Sequence, residues 1–219
     1  MKKRSLVAFV LLILLTTINL PEKKIVTSKF NIKKINIENN FLIKKNDIKN
    51  LLDPIYDKSL IFLNNSEIEN LLLQNSFIDS FKVKKKYPNT LKIEIFEKKP
   101  FAILFYKKKK FYLSEKIELI EFKDLQNFKD LPYIFGNKDE FKIFYNNLIK
   151  INFPLKEVKK YTLYETNRWD LETVNKNIIK LPAIDYIDSL KNYLNLKKKN
   201  DFKNYNVFDY RINNQLILK

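Results

Sequence analysis

The 219-residue chain contains no cysteine and no histidine, and only one glycine, one methionine and one tryptophan. Without imidazole or thiolate it has no zinc site built on those ligands, no cysteine nucleophile and no histidine-dependent triad. Without cysteine there are no disulfides either, so cysteine usage leaves the redox compartment open. With Gly136 as the only glycine, a phosphate-cradling loop or a dinucleotide fingerprint cannot be built. No cofactor is expected. What is plentiful is apolar and basic: 45% hydrophobic residues, 14% aromatics, and 42 Lys and Arg against 25 Asp and Glu, a net charge of +17. That is enough apolar content to bury a core in one large domain or two small ones. The bias towards Lys, Asn, Ile and Phe has the texture of a genome-wide drift, so the charge alone does not name a partner. It favours anionic lipid and other acidic surfaces.

The one long uncharged run is at the start. Lys2, Lys3 and Arg4 precede a stretch without charge from Ser5 to Pro21, about 25 Å of helix at roughly 1.5 Å per residue, the short end of a membrane span. A cleaved signal peptide is the rival reading, but Thr16-Thr17-Ile18-Asn19-Leu20-Pro21 has no small-x-small cleavage pattern. The expectation is an uncleaved anchor over 5–21, a cytoplasmic tail over 1–4, a linker over 22–29, and everything beyond outside the cytoplasm. That placement sets nucleic acid aside as a partner.

Beyond the linker the periodicities change from element to element. "FNIKKINIENN" predicts a strand whose apolar set slips between Phe30/Ile32 and Ile35/Ile37, which suggests a bulge or a strand covered on both sides. "NDIKNLLDP" predicts a helix carrying Ile48, Leu51 and Leu52 and stopped at Pro54. "NNSEIENLLLQN" predicts a second helix, with Ser66 and Glu69 in capping-box register and Ile68, Leu71 and Leu72 on one stripe. "FKVKKKYPNTLKIEIFEKKP" alternates on both sides of Tyr87-Pro88-Asn89-Thr90 and predicts a hairpin with one wet face. Residues 30–98 thus read as a compact β-α-α-β-β module. Residues 99–219 read as a second, mainly antiparallel β domain with interposed helices, so the fold class is α+β. There the hairpin "FAILFYKKKKFYLS" has Lys107 to Lys110 at its tip and "KIELIEF" follows as a strand. A helix over "FKIFYNNLIKI", three antiparallel strands in "VKKYTLYETNRWDLETVNKNIIKLP", a helix over "DYIDSLKNYLNL" and a closing strand-turn-strand in "YNVFDYRINNQLILK" complete it.

The ordered set "SFIDSFKVKKKYPNTLKIEIFEKKPFA", "LPYIFG", "NRWDL", "IIKLP" and "VFDYRINNQLIL", behind one anchor, resembles the FtsQ/DivIB family of bacterial cell-division proteins over residues 30–218. The resemblance implies a POTRA domain over 30–98, an FtsQ-type β domain over 99–219, and no enzymatic activity. It implies a single-pass type II protein of the inner membrane with periplasmic domains. Its role would be a divisome scaffold at the septum, linking early and late division proteins and recruiting the FtsB and FtsL pair, with other septal proteins as further partners and no small-molecule substrate. A different membrane-anchored POTRA docking protein of the cell envelope is the alternative.

The candidate site is the last strand pair. Alternation puts Phe208, Tyr210 and Ile212 on one face and Asp209 and Arg211 on the other, before Asn213-Asn214 turns the chain. A partner segment adding beside residues 205–218 would have its charges read by Asp209 and Arg211, with Phe208, Tyr210, Ile212, Leu216 and Leu218 as the apolar contacts. A one-residue register shift exchanges the two sets. Asp209 and Arg211 also have a plainer reading, as a surface ion pair worth little. Trp169, alternating with Leu171, is expected in the core. "FYKKKKFY" has the aromatic and basic mix of a single-strand nucleic-acid groove but reads as a charged hairpin tip. Ser114 or Ser66 near lysines could serve a Ser-Lys hydrolase, and acidic pairs a glycan hydrolase, yet neither has a motif.

Overall fold

The computed structural model describes residues 7, 9–13, 28–199, 204–212 and 215–219. Val7 and residues 9–13 are helical with exposed apolar side chains. The rest of the expected 5–21 anchor, the 1–4 tail and most of the linker lie outside the described residues. Among the described residues no helix is long and apolar enough to cross a membrane. The chain divides into two compact units, Met1–Glu97 and Lys98–Lys219.

In the first unit the order is β1 (Lys34–Glu38), α1 (Lys45–Leu51), α2 (Asn65–Leu72), β2 (Ile78–Lys86) and β3 (Thr90–Glu97). β3 lies in the middle of the sheet, parallel to β1 and antiparallel to β2. Alternation along β3 buries Leu91, Ile93 and Ile95 completely. The register sets Ile35 and Ile37 of β1 beside Leu91 and Ile93, and the helices supply Ile48, Leu52, Ile68 and Leu72 to the core. The slip in the first strand is a break rather than a bulge. β1 begins at Lys34, and Asn31 bridges Ser59 separately. Pro54 does stop α1, and it sits inside the 3-10 turn Asp53–Ile55. The cap of α2 lies two residues earlier than the capping-box reading: Asn64 accepts from the Ser66 amide at 3.2 Å. Asparagine serves there as well as serine, and it is the residue whose backbone is still extended. Glu97 closes the unit by accepting from the amides of Phe41, Leu42 and Ile43 at 3.1, 2.8 and 2.9 Å.

The second unit is built on a nine-stranded sheet: β4 (Pro100–Tyr106), β5 (Lys109–Ser114), β6 (Leu119–Glu121), β7 (Tyr133–Phe135), β8 (Val158–Leu163), β9 (Trp169–Thr173), β10 (Ile178–Lys180), β11 (Val207–Asp209) and β12 (Ile217–Leu218). Their spatial order is β12-β11-β10-β9-β8-β7-β4-β5-β6. The hairpin tip is only Lys107 and Lys108, both at positive φ, and Lys109 and Lys110 already belong to β5. The sheet is more mixed than the sequence predicts, because α3 (Lys138–Lys150) carries the chain from β7 to its parallel neighbour β8, and α4 (Tyr186–Lys197) carries it from β10 to its parallel neighbour β11. β7, also parallel to β4, has no counterpart in the sequence reading. Of its three residues only Ile134 is buried, too short a run to show a period.

Both helices lay their apolar sides on one face of this sheet. Phe141, Phe144 and Leu148 of α3 and Leu190 and Tyr193 of α4 join Leu104, Leu113, Tyr161, Leu171, Ile179 and Phe208 in a single core. Trp169 is part of it, stacked on Phe144 with ring centroids 4.8 Å apart and planes at 13°. Gly136 follows β7 where nothing larger fits: a Cβ there would lie 2.9 Å from Leu163 Cβ and 3.3 Å from the Trp169 ring.

Candidate functional site

Among the described residues β12 is the outermost strand at one end of the large sheet. Its neighbour β11 pairs with it antiparallel, Phe208 opposite Leu218 and Asp209 opposite Ile217. Val207 and Lys219 exchange backbone hydrogen bonds at 2.9 and 3.2 Å. Since bonding directions alternate along a strand, the amides of Ile217 and Lys219 turn towards β11 and those of Leu216 and Leu218 turn towards the open edge.

The side chains of this region separate as the sequence alternation implies, but part of the apolar set is already used. Phe208 is buried on the helix-covered face, its ring edge-on to Tyr193 at 4.9 Å and 85°. Tyr210 lies just beyond the end of β11, where its amide donates to Lys180 O at 2.8 Å and its hydroxyl donates to Asn192 Oδ1 on α4 at 2.9 Å. Burial pushes its phenol pKa up, and Tyr193 adds to the shift. Leu216 and Leu218 pack partly against the same core. Ile212 is half exposed. Tyr210, Ile212 and Leu216 line one cleft of about 550 Å³ with Ile184, Asp188 and Asn192, so three of the predicted apolar contacts are brought together beside the edge. Phe208 is not among them.

On the opposite face strand register builds a row of charge that no linear motif displays. Asp170, Lys180 and Asp209 are direct cross-strand neighbours, followed by Ile217 on β12. Asp209 is buried and bound in a fork by Arg211, with Nε at 2.8 and 3.0 Å from the two carboxylate oxygens and Nη2 at 2.6 Å from Oδ2. The Arg211 amide donates to the same carboxylate at 3.1 Å. At the other end of the row Arg168 lies over the Tyr164 ring at 4.3 Å. Its Nε is 3.6 Å from Asp170 Oδ1, and both atoms are buried without a hydrogen-bond partner. Three cations and two carboxylates thus share one strip of surface next to the edge. Arg168, Asp170 and Lys180 escape sequence reasoning because only register puts them next to Asp209; the available signal was the Arg and Asp inside "NRWDL".

The two carboxyls are shifted in opposite directions. Burial raises the Asp170 pKa, opposed by Arg168 and Lys180. Arg211, chiefly through its side-chain hydrogen bond, lowers that of Asp209 below the ordinary 3.8. A depressed carboxylate contributes stability that is complete above the unfolded value and is lost as pH falls through the folded one. A carbon-13 titration of the Asp209 carboxyl should therefore give a midpoint below the ordinary aspartate value, and Arg211→Ala should move it upward. An unmoved midpoint would mean that the fork does not hold in solution.

Among the described residues no cluster of three or more carboxylates is placed to hold a metal. Ser114 is buried, and its hydroxyl oxygen accepts from the Glu118 amide at 3.1 Å, closing the β5–β6 turn.

A sequence model of the POTRA domain, FtsQ-type, matches residues 30–98. The cell-division protein FtsQ of Rickettsia typhi is 28% identical over 202 residues, spanning 87% of this chain and 73% of that one. FtsQ of Rickettsia prowazekii is 28% identical over 208 residues, spanning 89% and 74%. The cell-division protein DivIB of Clostridium tetani is 31% identical over 88 residues, 39% of this chain and 32% of its own. Among solved structures, the major extracytoplasmic domain of DivIB from Geobacillus stearothermophilus is 15% identical with a TM-score of 0.33, covering 49% of this chain and 98% of that domain. With the FtsQ-type POTRA match over residues 30–98 and the Rickettsia FtsQ relatives running through both compact units, the first unit carries a POTRA domain of FtsQ type and the chain as a whole is similar to the FtsQ cell-division proteins.

Proposed function

We propose that this protein is a non-enzymatic scaffold of the divisome, anchored in the inner membrane by residues 5–21 with both units in the periplasm, and that it recruits the FtsB and FtsL pair by accepting a segment of FtsB as an added strand on β12. The observation that carries the reading is the open edge itself. Leu216 and Leu218 direct their amides outward, a cleft that sets Tyr210, Ile212 and Leu216 beside the polar Asp188 and Asn192 opens on one side, and the forked Arg211 stands on the other. Backbone pairing supplies affinity in such an arrangement, and the flanking side chains choose the partner. Asp209 acts by holding Arg211, and Phe208 by seating β11 on the core.

Arg211 keeps a side chain 42% exposed while its carboxylate partner is 7% exposed, so it can take a second carboxylate from the partner without releasing the first. Titrating the FtsB periplasmic segment into the full chain in detergent should give saturable binding, weakened about tenfold by Arg211→Glu. An absence of saturable binding by the wild-type chain would overturn the reading.

A further inference from the structure

The chain enters the first unit at one end of its sheet. The Ile32 amide donates to Lys58 O at 2.9 Å and the Leu60 amide to Phe30 O at 2.8 Å, while the amides of Lys33 and Lys34 donate to Asn89 O at 2.9 and 3.3 Å. The Phe30 ring meets Tyr87 edge-on at 6.1 Å. The entering chain, the turn between β2 and β3, and the loop after the 3-10 turn are therefore one local surface. Lys85 holds that loop against the end of β2, its ammonium donating to the carbonyls of Leu63 at 2.9 Å and Ile61 at 3.3 Å.

The side chains on this surface are an odd mixture for open water. Phe62 is 79% exposed, Tyr87 58% and Ile61 45%, and Lys29 and Lys33 of the entering chain and Lys84 and Lys86 at the end of β2 are exposed too. The nearby carboxylate of Glu67 is already paired with Lys58. Aromatic side chains among lysines suit the headgroup layer of an anionic membrane, where rings sit at the interface and ammonium groups face phosphates. Chain length agrees. Eight residues, 22–29, separate the uncharged run from Phe30, at most about 28 Å when fully extended.

We propose that this end of the POTRA unit rests on the anionic bilayer surface, with Phe62 and Tyr87 at headgroup depth. The inference depends on residues 5–21 being the anchor. Because the chain has no cysteine, single labels can be placed at will. An environment-sensitive dye is attached through Phe62→Cys, through Tyr87→Cys, or through Phe41→Cys, a phenylalanine 86% exposed beyond the other end of β1. The full chain is then reconstituted in phosphatidylcholine vesicles with or without phosphatidylglycerol. With the anionic lipid, dye at 62 and 87 should shift to the blue and be quenched by lipid-borne quenchers, while dye at 41 should not. Lys84→Glu with Lys86→Glu, or high salt, should bring 62 and 87 to the level of 41. Equal signals at all three positions, or no dependence on phosphatidylglycerol, would overturn the proposal. Flotation separates the two readings: a chain that does not float with vesicles refutes the anchor and this surface together. A chain that floats while 62 and 87 stay in water refutes this surface alone.

Discussion

Trp169→Ala should cost about 3–5 kcal/mol of folding stability, the range for removing a large aromatic side chain from a packed core. Trp169 is 4% exposed, lies flat on Phe144 and meets Phe141 edge-on at 6.0 Å. It also sits over the backbone at Gly136, the one place where the chain omits a side chain. The hole left behind has a sheet on one side and α3 on the other. α3 is pinned at its start, where Asn137 accepts from the Glu140 amide at 2.8 Å, and along its length by Phe141 and Leu148, so the site cannot collapse to refill itself. Phe144→Ala should cost a similar amount, and the double variant less than the sum, because the two rings share one stack. Denaturant unfolding measures all three; a loss below about 1 kcal/mol for Trp169→Ala would show that the stack is not what ties α3 to the sheet.

Leu218→Pro should abolish capture of the FtsB segment while leaving the domain folded. Proline removes one amide, and at position 218 that amide points to the open edge rather than to β11. Ile217→Pro, one residue earlier, removes an amide that turns towards β11 and should loosen β12 itself. The two variants therefore separate loss of a docking edge from loss of a strand: the first should be no less stable than Leu218→Ala, which gives up the same partial packing on the core, yet fail to bind, and the second should lose strand pairing as well. Wild-type affinity in Leu218→Pro would place the partner elsewhere.

Much of the fold can be read from local pattern. The β2–β3 and β4–β5 hairpins, the helices over 138–150 and 186–197 and the closing strand pair all carry their periods in their own residues, and Trp169 alternates into the core beside Leu171 as expected. What the sequence hides is nonlocal. The slip before Ile35 marks a break because residues 30–32 find other partners in the loop at 57–60. β7 is invisible because three residues show no period, and its position between β4 and β8 is set by the crossover through α3. At the candidate site the alternation assigns faces correctly to Phe208, Asp209 and Tyr210, yet only packing reveals that α4 has already claimed Phe208 and the Tyr210 hydroxyl. Arg168 and Lys180 join Asp209 through register alone.

Hydrogen exchange at the outer strands β12 and β2, measured on the full chain with and without the FtsB periplasmic segment, tests the docking edge most directly. Strand addition on β12 requires the amides of Leu216 and Leu218 to slow when the segment binds, with those of β2 in the POTRA unit unchanged. Slowing along β2 with no change at residues 216–218 would contradict it.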